Sequence, residues 1–158
     1  MVADTTASFE AIARIPSGAA IIAARSGQRV TGMLASWIQQ ASFSPPLITV
    51  AIRRGRYIEE LLAESGRCAV SILPENPSTF LRHFGRGFKA GEDAFAGLVT
   101  LDSPAGPLLD GCAAHLICDV RDRFVTGDHH LYVVEVVSGA VADPLKPYVH
   151  QRRTAANY

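Results

Sequence analysis

The sequence has no excess of either charge, because 15 Lys and Arg residues offset 15 Asp and Glu residues. A balanced chain creates no overall field that attracts nucleic acid or an anionic membrane, so we expect neither as a partner. No apolar run approaches the roughly 20 residues that a membrane-spanning helix needs. The N-terminus lacks the basic start and apolar core of a signal peptide. We therefore expect a cytoplasmic protein in which any anion site is local.

Several catalytic and metal-binding signatures are also missing. The chain has no GxGxxG for a tightly held dinucleotide, and neither HExxH nor GxSxG for a hydrolase. Its three cysteines, Cys68, Cys112 and Cys118, form no CxxC and lie in apolar segments, which predicts buried, reduced thiols. His115 lies between the last two, but on a strand it would point to the face opposite both. We therefore predict no metal site.

Charged residues are scarce for a chain of this size. Of 158 residues, 48% are hydrophobic and only 19% are charged, which is apolar for a small soluble domain. We expect residues 1–158 to form a single domain. A monomer would leave apolar surface uncovered, so we expect a homodimer.

Helical patterns are few and do not alternate regularly with strands. Helices are predicted over 8–15 and 57–65, the second ending at Gly66, and a third begins at Asn76-Pro77 with Asn76 as its N-cap. Residues 85–97 are predicted to form a loop, and strands are predicted over 19–24, 29–38, 47–52, 68–73, 111–125 and 130–141, with turns at Ser26–Gln28 and Gly127-Asp128. This order disfavours a doubly wound α/β fold and favours a mainly β, antiparallel barrel with a few flanking helices.

The most informative segment runs from Gly32 to Pro46, where a strand carrying hydroxyls and an aromatic ring meets a Pro-Pro pair. A flavin mononucleotide needs phosphate ligands, partners for the polar edge of its ring, and apolar walls. Backbone groups of Met33–Trp37 can face the ring edge, and Ser36 and Ser42 supply hydroxyls. Trp37 can form a wall, and after the next strand Arg53 and Arg56 can reach the phosphate.

Each of these residues also has a simpler interpretation. A single Trp on a strand is typical core, and Ser36 and Ser42 are ordinary strand-end hydroxyls. Two nearby arginines are typical of a solvated corner. From the residues alone, a flavin site is one candidate among several.

Two further segments carry candidate chemistry. Gly127-Asp128-His129-His130 joins the last two strands, and His129 can contact a nicotinamide while Asp128 orients its ring or only forms the turn. Residues 82–89 mix basic and aromatic side chains, so Phe84 or Phe88 can cover a flavin, or the segment can be a solvated loop.

The motifs occur together and in order along the chain: Ile15–Gly18, Gly32–Pro46, Phe84–Phe95 and Gly127–His129. In this the sequence resembles the flavin reductase family, the FMN-binding split barrels, and above all the C-terminal flavin reductase module of diflavin flavoproteins. The diiron and flavodoxin modules of those proteins have no counterpart here, so we do not expect oxygen or nitric oxide reduction.

The resemblance implies an antiparallel Greek-key split barrel that works as an NAD(P)H:flavin oxidoreductase. FMN, or alternatively FAD, would accept hydride at N5 from NADH or NADPH, and reduced flavin would pass to a downstream acceptor. By resemblance, His129 lies where the nicotinamide docks, and the cofactor is held by Met33, Leu34, Ala35, Ser36, Trp37, Ala41, Ser42, Arg53, Arg56, Tyr57 and Phe84. In this likeness Ala41 and Ser42 lie near the phosphate end, which Arg53, Arg56 and Tyr57 help to hold.

Two other functions remain open at this point. One is a flavoprotein that holds FMN permanently and reduces a separate acceptor, and the other is a non-catalytic flavin carrier or sensor. The ending His150-Gln151-Arg152-Arg153 is similar to that of the diflavin relatives and can close over the pocket, or it can be a frayed tail.

Overall fold

A seven-stranded antiparallel sheet is the central element of the computed structural model, which describes residues 5–152. The sheet has the strand order β3-β2-β6-β9-β10-β5-β4, and two small two-stranded sheets accompany it, β1-β11 and β7-β8. The strands are β1 Ser17–Gly18, β2 Ala20–Ser26, β3 Arg29–Ala35, β4 Ile38–Ser42, β5 Leu47–Arg53, β6 Arg67–Ile72, β7 Thr100–Leu101, β8 Leu108–Leu109, β9 Ala114–Thr126, β10 His129–Val141 and β11 Val149–His150. The helices are α1 Thr5–Ile12, α2 Ile58–Ser65 and α3 Ser78–Phe84. The predicted mainly β, antiparallel architecture is confirmed.

Strand β2 is buried on both faces, which explains its uninterrupted apolar sequence. Ala20, Ile22 and Ala24 face a first core that is shared with β5, β6, β9, β10 and α2. Ile21 and Ala23 face a second core, on the side of α3 and the segment that follows it. Since successive side chains alternate across a strand, both sets must be apolar.

Helix α2 packs against the first core. Ile58, Leu61 and Leu62 are its buried residues, as the helical spacing predicts. Gly66 ends the helix in the left-handed conformation, with φ 65°, and its N–H donates to the Leu62 carbonyl at 2.9 Å. The predicted end of this helix is therefore confirmed.

The second core depends on a close approach between an aromatic cluster and β3. A β-carbon at Gly32 would lie 2.7 Å from Phe95 Cζ and 3.2 Å from Phe84 Cε1. Those two rings pack edge to face with centroids 5.6 Å apart. Glycine at position 32 is thus required because the rings occupy the space that any side chain would need.

We expect Gly32→Ala to lower the free energy of unfolding by about 1–3 kcal/mol, because the added methyl group overpacks the second core. Urea denaturation followed by circular dichroism measures the change. Gly18→Ala is the matched control, since a β-carbon there meets only Ile38 Cγ2 at an ordinary 3.7 Å. Equal stability of the two variants would contradict the steric explanation.

The structure corrects three predicted boundaries. The strand predicted over 29–38 ends at Ala35, and after Ser36 and Trp37 a separate strand, β4, pairs with β5. Helix α1 spans Thr5–Ile12 rather than residues 8–15, because after Ala13 the backbone bonds change to i→i−3 turns, from Arg14 to Ala11 and from Ile15 to Ile12. Helix α3 starts at Ser78, so Pro77 and not Asn76 holds the N-cap position.

The three cysteines are buried and unbridged, as predicted. Burial raises the pKa of Cys112 to about 12. A hydrogen bond with Cys118, which lies opposite in the sheet, together with burial raises the pKa of Cys68. Within residues 5–152, no helix combines the length and the apolar character needed to cross a membrane.

Candidate functional site

The turn between β9 and β10 lies against the end of β5. His129 is opposite Arg53 in the β10–β5 register, and the Arg54 backbone N–H donates to the Asp128 carbonyl at 3.0 Å. The Arg54 side chain also donates, through Nη1, to the Gly127 carbonyl at 3.3 Å. The sheet therefore brings residues 53–56, which we call the arginine corner, next to the predicted Gly-Asp-His motif.

Asp128 orients the ring of His129. The side chain of His129 is 4% exposed, and its Nδ1 lies 2.7 Å from Asp128 Oδ1. This hydrogen bond holds the pKa of Asp128 below its usual value, so the carboxylate is ionised and can only accept. Nδ1 therefore carries the proton that the Asp128 carboxylate accepts.

The Trp37 ring contacts both His129 and the C-terminal segment. The ring centroids of Trp37 and His129 are 4.6 Å apart, and the Arg152 guanidinium lies 4.8 Å from the Trp37 ring centroid. The Trp37 backbone is fixed as well, because its carbonyl accepts from the Ala51 N–H at 3.0 Å. Trp37 lies at the break between β3 and β4, half-buried rather than in the core.

Sequence reasoning did not assign a site role to Arg152. Strand β11 pairs with β1, with His150 opposite Ser17, and this pairing carries the chain to the Trp37 ring two residues later. The similarity of the ending to that of the diflavin relatives was the available signal. Arg153 and the rest of that ending lie outside the described residues.

The 85–97 loop reaches the arginine corner through Gly87. A β-carbon built at Gly87 would lie 2.5 Å from Nη1 of Arg56, and Gly87 has φ +72°, which other residues rarely adopt. The loop therefore covers one side of Arg56. Arg53 and Arg54 remain exposed on the other side, where they can bind an anion.

The predicted β3 residues divide between the two cores. Met33 packs against the first core, and Ala35 is buried in it. Leu34 packs against the second core. Only their backbone is left to serve a ligand, and Ser36, half-buried beside Trp37, is the nearest predicted hydroxyl.

Ala41 and Ser42 lie away from the arginine corner. Ser42 is opposite Leu47, the first residue of β5, whereas Arg53 is the last residue of β5. Six residues of strand span about 20 Å. Within one chain these residues therefore cannot hold the same phosphate as Arg53 and Arg56, which corrects their expected placement.

Two predicted aromatic contacts also differ from expectation. Phe84 is 2% exposed and packs against Phe88 and Phe95, so core packing accounts for its ring and leaves no face for a cofactor. Phe88 is nearly as buried, at 9% exposed, with the Arg86 guanidinium 4.2 Å from its ring centroid. Tyr57 packs against the first core.

In the described part of the chain, no group of three or more His, Cys, Asp or Glu side chains is placed to hold a metal. His115 Nε2 lies 2.7 Å from the Leu109 carbonyl oxygen and is engaged there.

Comparison with known protein families assigns the chain to one of them. The family model described as flavin reductase like domain matches residues 12–158. The chain belongs to the flavin reductase family. The resemblance seen in the sequence is thereby confirmed, and family membership makes the chain an oxidoreductase of the flavin reductase type.

The curated relatives are longer than this flavin reductase domain. Diflavin flavoprotein A 1 of Synechocystis sp. is 38% identical over 151 residues, which cover 94% of this chain and 26% of that protein. The chain therefore spans about a quarter of the length of the curated relatives that it matches.

Solved structures share the fold. The NADH:FAD oxidoreductase SgcE6 of Streptomyces globisporus superimposes with a TM-score of 0.85 at 23% identity, covering 96% of this chain and 91% of that one. SgcE6 has also been solved in complex with NAD and FAD fragments. The styrene monooxygenase flavin reductase of Pseudomonas putida S12 gives a TM-score of 0.73 at 26% identity, covering 90% of this chain and 95% of that one. The split-barrel fold predicted by resemblance is confirmed.

Proposed function

We propose that this chain is an NAD(P)H:flavin oxidoreductase that binds FMN beside Trp37 and the arginine corner. The observation that carries the proposal is the contact of His129 with Trp37, 4.6 Å between ring centroids, next to exposed Arg53 and Arg54. An oriented imidazole, an aromatic wall and a cationic corner are the groups that a phosphorylated flavin and a nicotinamide require.

The residues present fit a flavin mononucleotide in charge. The arginine corner offers guanidinium groups of Arg53, Arg54 and Arg56, and a phosphate is the anion that such donors bind best. The nearby carboxylate of Asp128 is already engaged by His129. A single cationic cluster suits FMN, and this supports FMN over FAD.

When bound, the flavin supplies the redox chemistry by accepting hydride at N5. Trp37 forms one wall and limits the positions that the ring can adopt. His129, held by Asp128, places its imidazole beside Trp37, where it can contact the carboxamide of a nicotinamide. The protein thus acts by orientation, and no side chain needs to act as a nucleophile.

The test is an absorption spectrum of the protein mixed with FMN, followed by anaerobic addition of NADH and, separately, NADPH. We expect FMN to bind and its 450 nm band (roughly the usual flavin position) to bleach with one of the two donors. Failure to take up FMN would overturn the proposal. FAD and riboflavin, titrated in parallel, measure the preference for FMN.

The same assay separates the two other functions. NADH oxidation that depends on added free FMN supports a reductase that uses flavin as a substrate. Oxidation that needs only an acceptor, in protein that keeps its flavin, supports a permanently bound cofactor. Flavin binding without NADH or NADPH oxidation supports a carrier or sensor.

We propose further that the protein is a homodimer. Phe43 is 90% exposed and Val99 71% exposed, and an open cavity of about 210 Å³ is lined by Ile38, Ile48 and Leu116, among others. A second copy is the simplest cover for this apolar surface in a chain with no net charge. Light scattering on an eluting size-exclusion peak tests this, and a monomer mass at working concentration would contradict it.

A further inference from the structure

A second buried polar cluster lies behind the arginine corner, on the face of β10 opposite His129. Its centre is Glu59, in the first turn of α2, whose side chain is 12% exposed. Glu59 Oε1 lies 2.5 Å from His130 Nδ1 and accepts from the Tyr132 hydroxyl at 3.0 Å. Glu59 Oε2 accepts from the Gly55 backbone N–H at 2.8 Å. One carboxylate thus binds three groups from two parts of the chain, the arginine corner and β10.

These bonds connect the arginine corner to the strand that carries His129. Gly55 is the middle of the corner, with φ +81°, and its N–H is held by Glu59 rather than by a ladder bond. His130 and Tyr132 lie on β10 directly after His129. The bonds from His130 and Tyr132 to Glu59 are partly buried, whereas the bond from the Gly55 N–H is exposed; all three go to a carboxylate, and hydrogen bonds to an ionised acceptor are stronger than neutral ones. The orientation of the corner is therefore coupled to β10 through Glu59.

The Tyr132 hydroxyl is a donor to Glu59. Burial raises the pKa of Tyr132 to about 12, with Arg123 acting against the shift and Glu59 adding to it, so the hydroxyl stays protonated and donates. Arg123, opposite Tyr132 on β9, is the other charged group on this face. The adjacent Glu60 contacts Arg29 at 2.5 Å instead and takes no part in the cluster.

We propose that Glu59 is a positioning residue for phosphate recognition. It holds the Gly55 amide, and through it the backbone that carries Arg53, Arg54 and Arg56, in the orientation that receives the flavin phosphate. His130 and Tyr132 fix the carboxylate from behind. This inference rests on the proposed function, because it assigns a role toward the phosphate of the same flavin.

The discriminating measurement compares FMN with riboflavin, which has the same ring and no phosphate. In Glu59→Gln the negative charge is lost, so the Gly55 N–H faces either a neutral amide oxygen or the amide N–H₂ group, and its charge-assisted bond is weakened or lost. We expect the Kd for FMN to rise about fivefold to tenfold and the Kd for riboflavin to change less than about twofold. With saturating FMN, kcat should stay within about twofold of the wild type while KM for FMN rises.

Glu60→Gln is the matched control, since it removes the same charge from the same helical turn without touching the corner. We expect both of its dissociation constants to equal those of the wild type. An equal rise for FMN and riboflavin in Glu59→Gln, or no rise in either, would overturn the positioning role. If Glu59→Gln fails to fold, Tyr132→Phe replaces it, because this variant removes only one of the three donors. We then expect Tyr132→Phe to raise the Kd for FMN but not the Kd for riboflavin. An unchanged Kd for FMN in folded Tyr132→Phe would overturn the proposal.

The wild-type protein separates this inference from the proposed function. If the wild-type protein does not bind FMN, the proposed function itself is contradicted. Wild-type protein that prefers FMN to riboflavin, combined with Glu59→Gln that keeps the same preference, leaves the proposed function intact and rejects the role of Glu59.

Discussion

Replacing His129 with alanine is expected to slow the reduction of bound flavin by NADH about 10- to 100-fold, while the Kd for FMN rises no more than about threefold. The reason is that the imidazole, oriented by Asp128 at 2.7 Å, contacts the nicotinamide rather than the flavin phosphate. Anaerobic stopped-flow mixing of the FMN-loaded variant with NADH measures the reduction rate. Fluorescence titration measures the affinity for FMN.

Asp128→Asn is a milder change that tests the same hydrogen bond between Asp128 and His129. The asparagine oxygen can still accept from His129 Nδ1, but the charge that favours this tautomer is lost. We expect a reduction rate between those of the wild type and His129→Ala. Equal losses of rate and affinity in His129→Ala, or no loss of either, would show that residues 127–129 only form a turn.

Trp37→Ala is expected to raise the Kd for FMN about tenfold, because the flavin loses an aromatic wall and the stack with His129 and Arg152 collapses. Trp37→Phe keeps a ring at the same place and should recover most of the affinity. Isothermal titration of the two variants with FMN gives the comparison. An unchanged Kd for FMN in Trp37→Ala would show that Trp37 only packs against its neighbours.

Much of the fold could be predicted because its signals are local. The apolar run of β2, the helical spacing of Ile58, Leu61 and Leu62, and the glycine at position 66 each act within a few residues. Strand β4 gave no such signal, because Gln39, Gln40 and Ala41 are exposed and lack the alternation of a half-buried strand. It lies at the edge of the sheet and is defined by its pairing with β5.

The site could be predicted in part for the same physical reason. Trp37 and His129 were both singled out from the sequence, and the structure places their rings in contact. The family resemblance places Ala41 and Ser42 near the same phosphate as Arg53, but strand register separates them. Phe84 is enclosed by a ring 11 residues further along the chain, and that contact is decided only by packing. Arg152 reaches Trp37 through the pairing of β11 with β1, which spans most of the chain.

The contact between Arg56 and Gly87 makes these two positions interdependent. A methyl group at position 87 would displace the guanidinium, so a loop borrowed from a homologue could be grafted here only if it brings glycine at that point. Conversely, a shorter residue at position 56 would release position 87 from steric constraint, though φ +72° would still disfavour a side chain there. A redesign of this loop therefore has to treat positions 56 and 87 together.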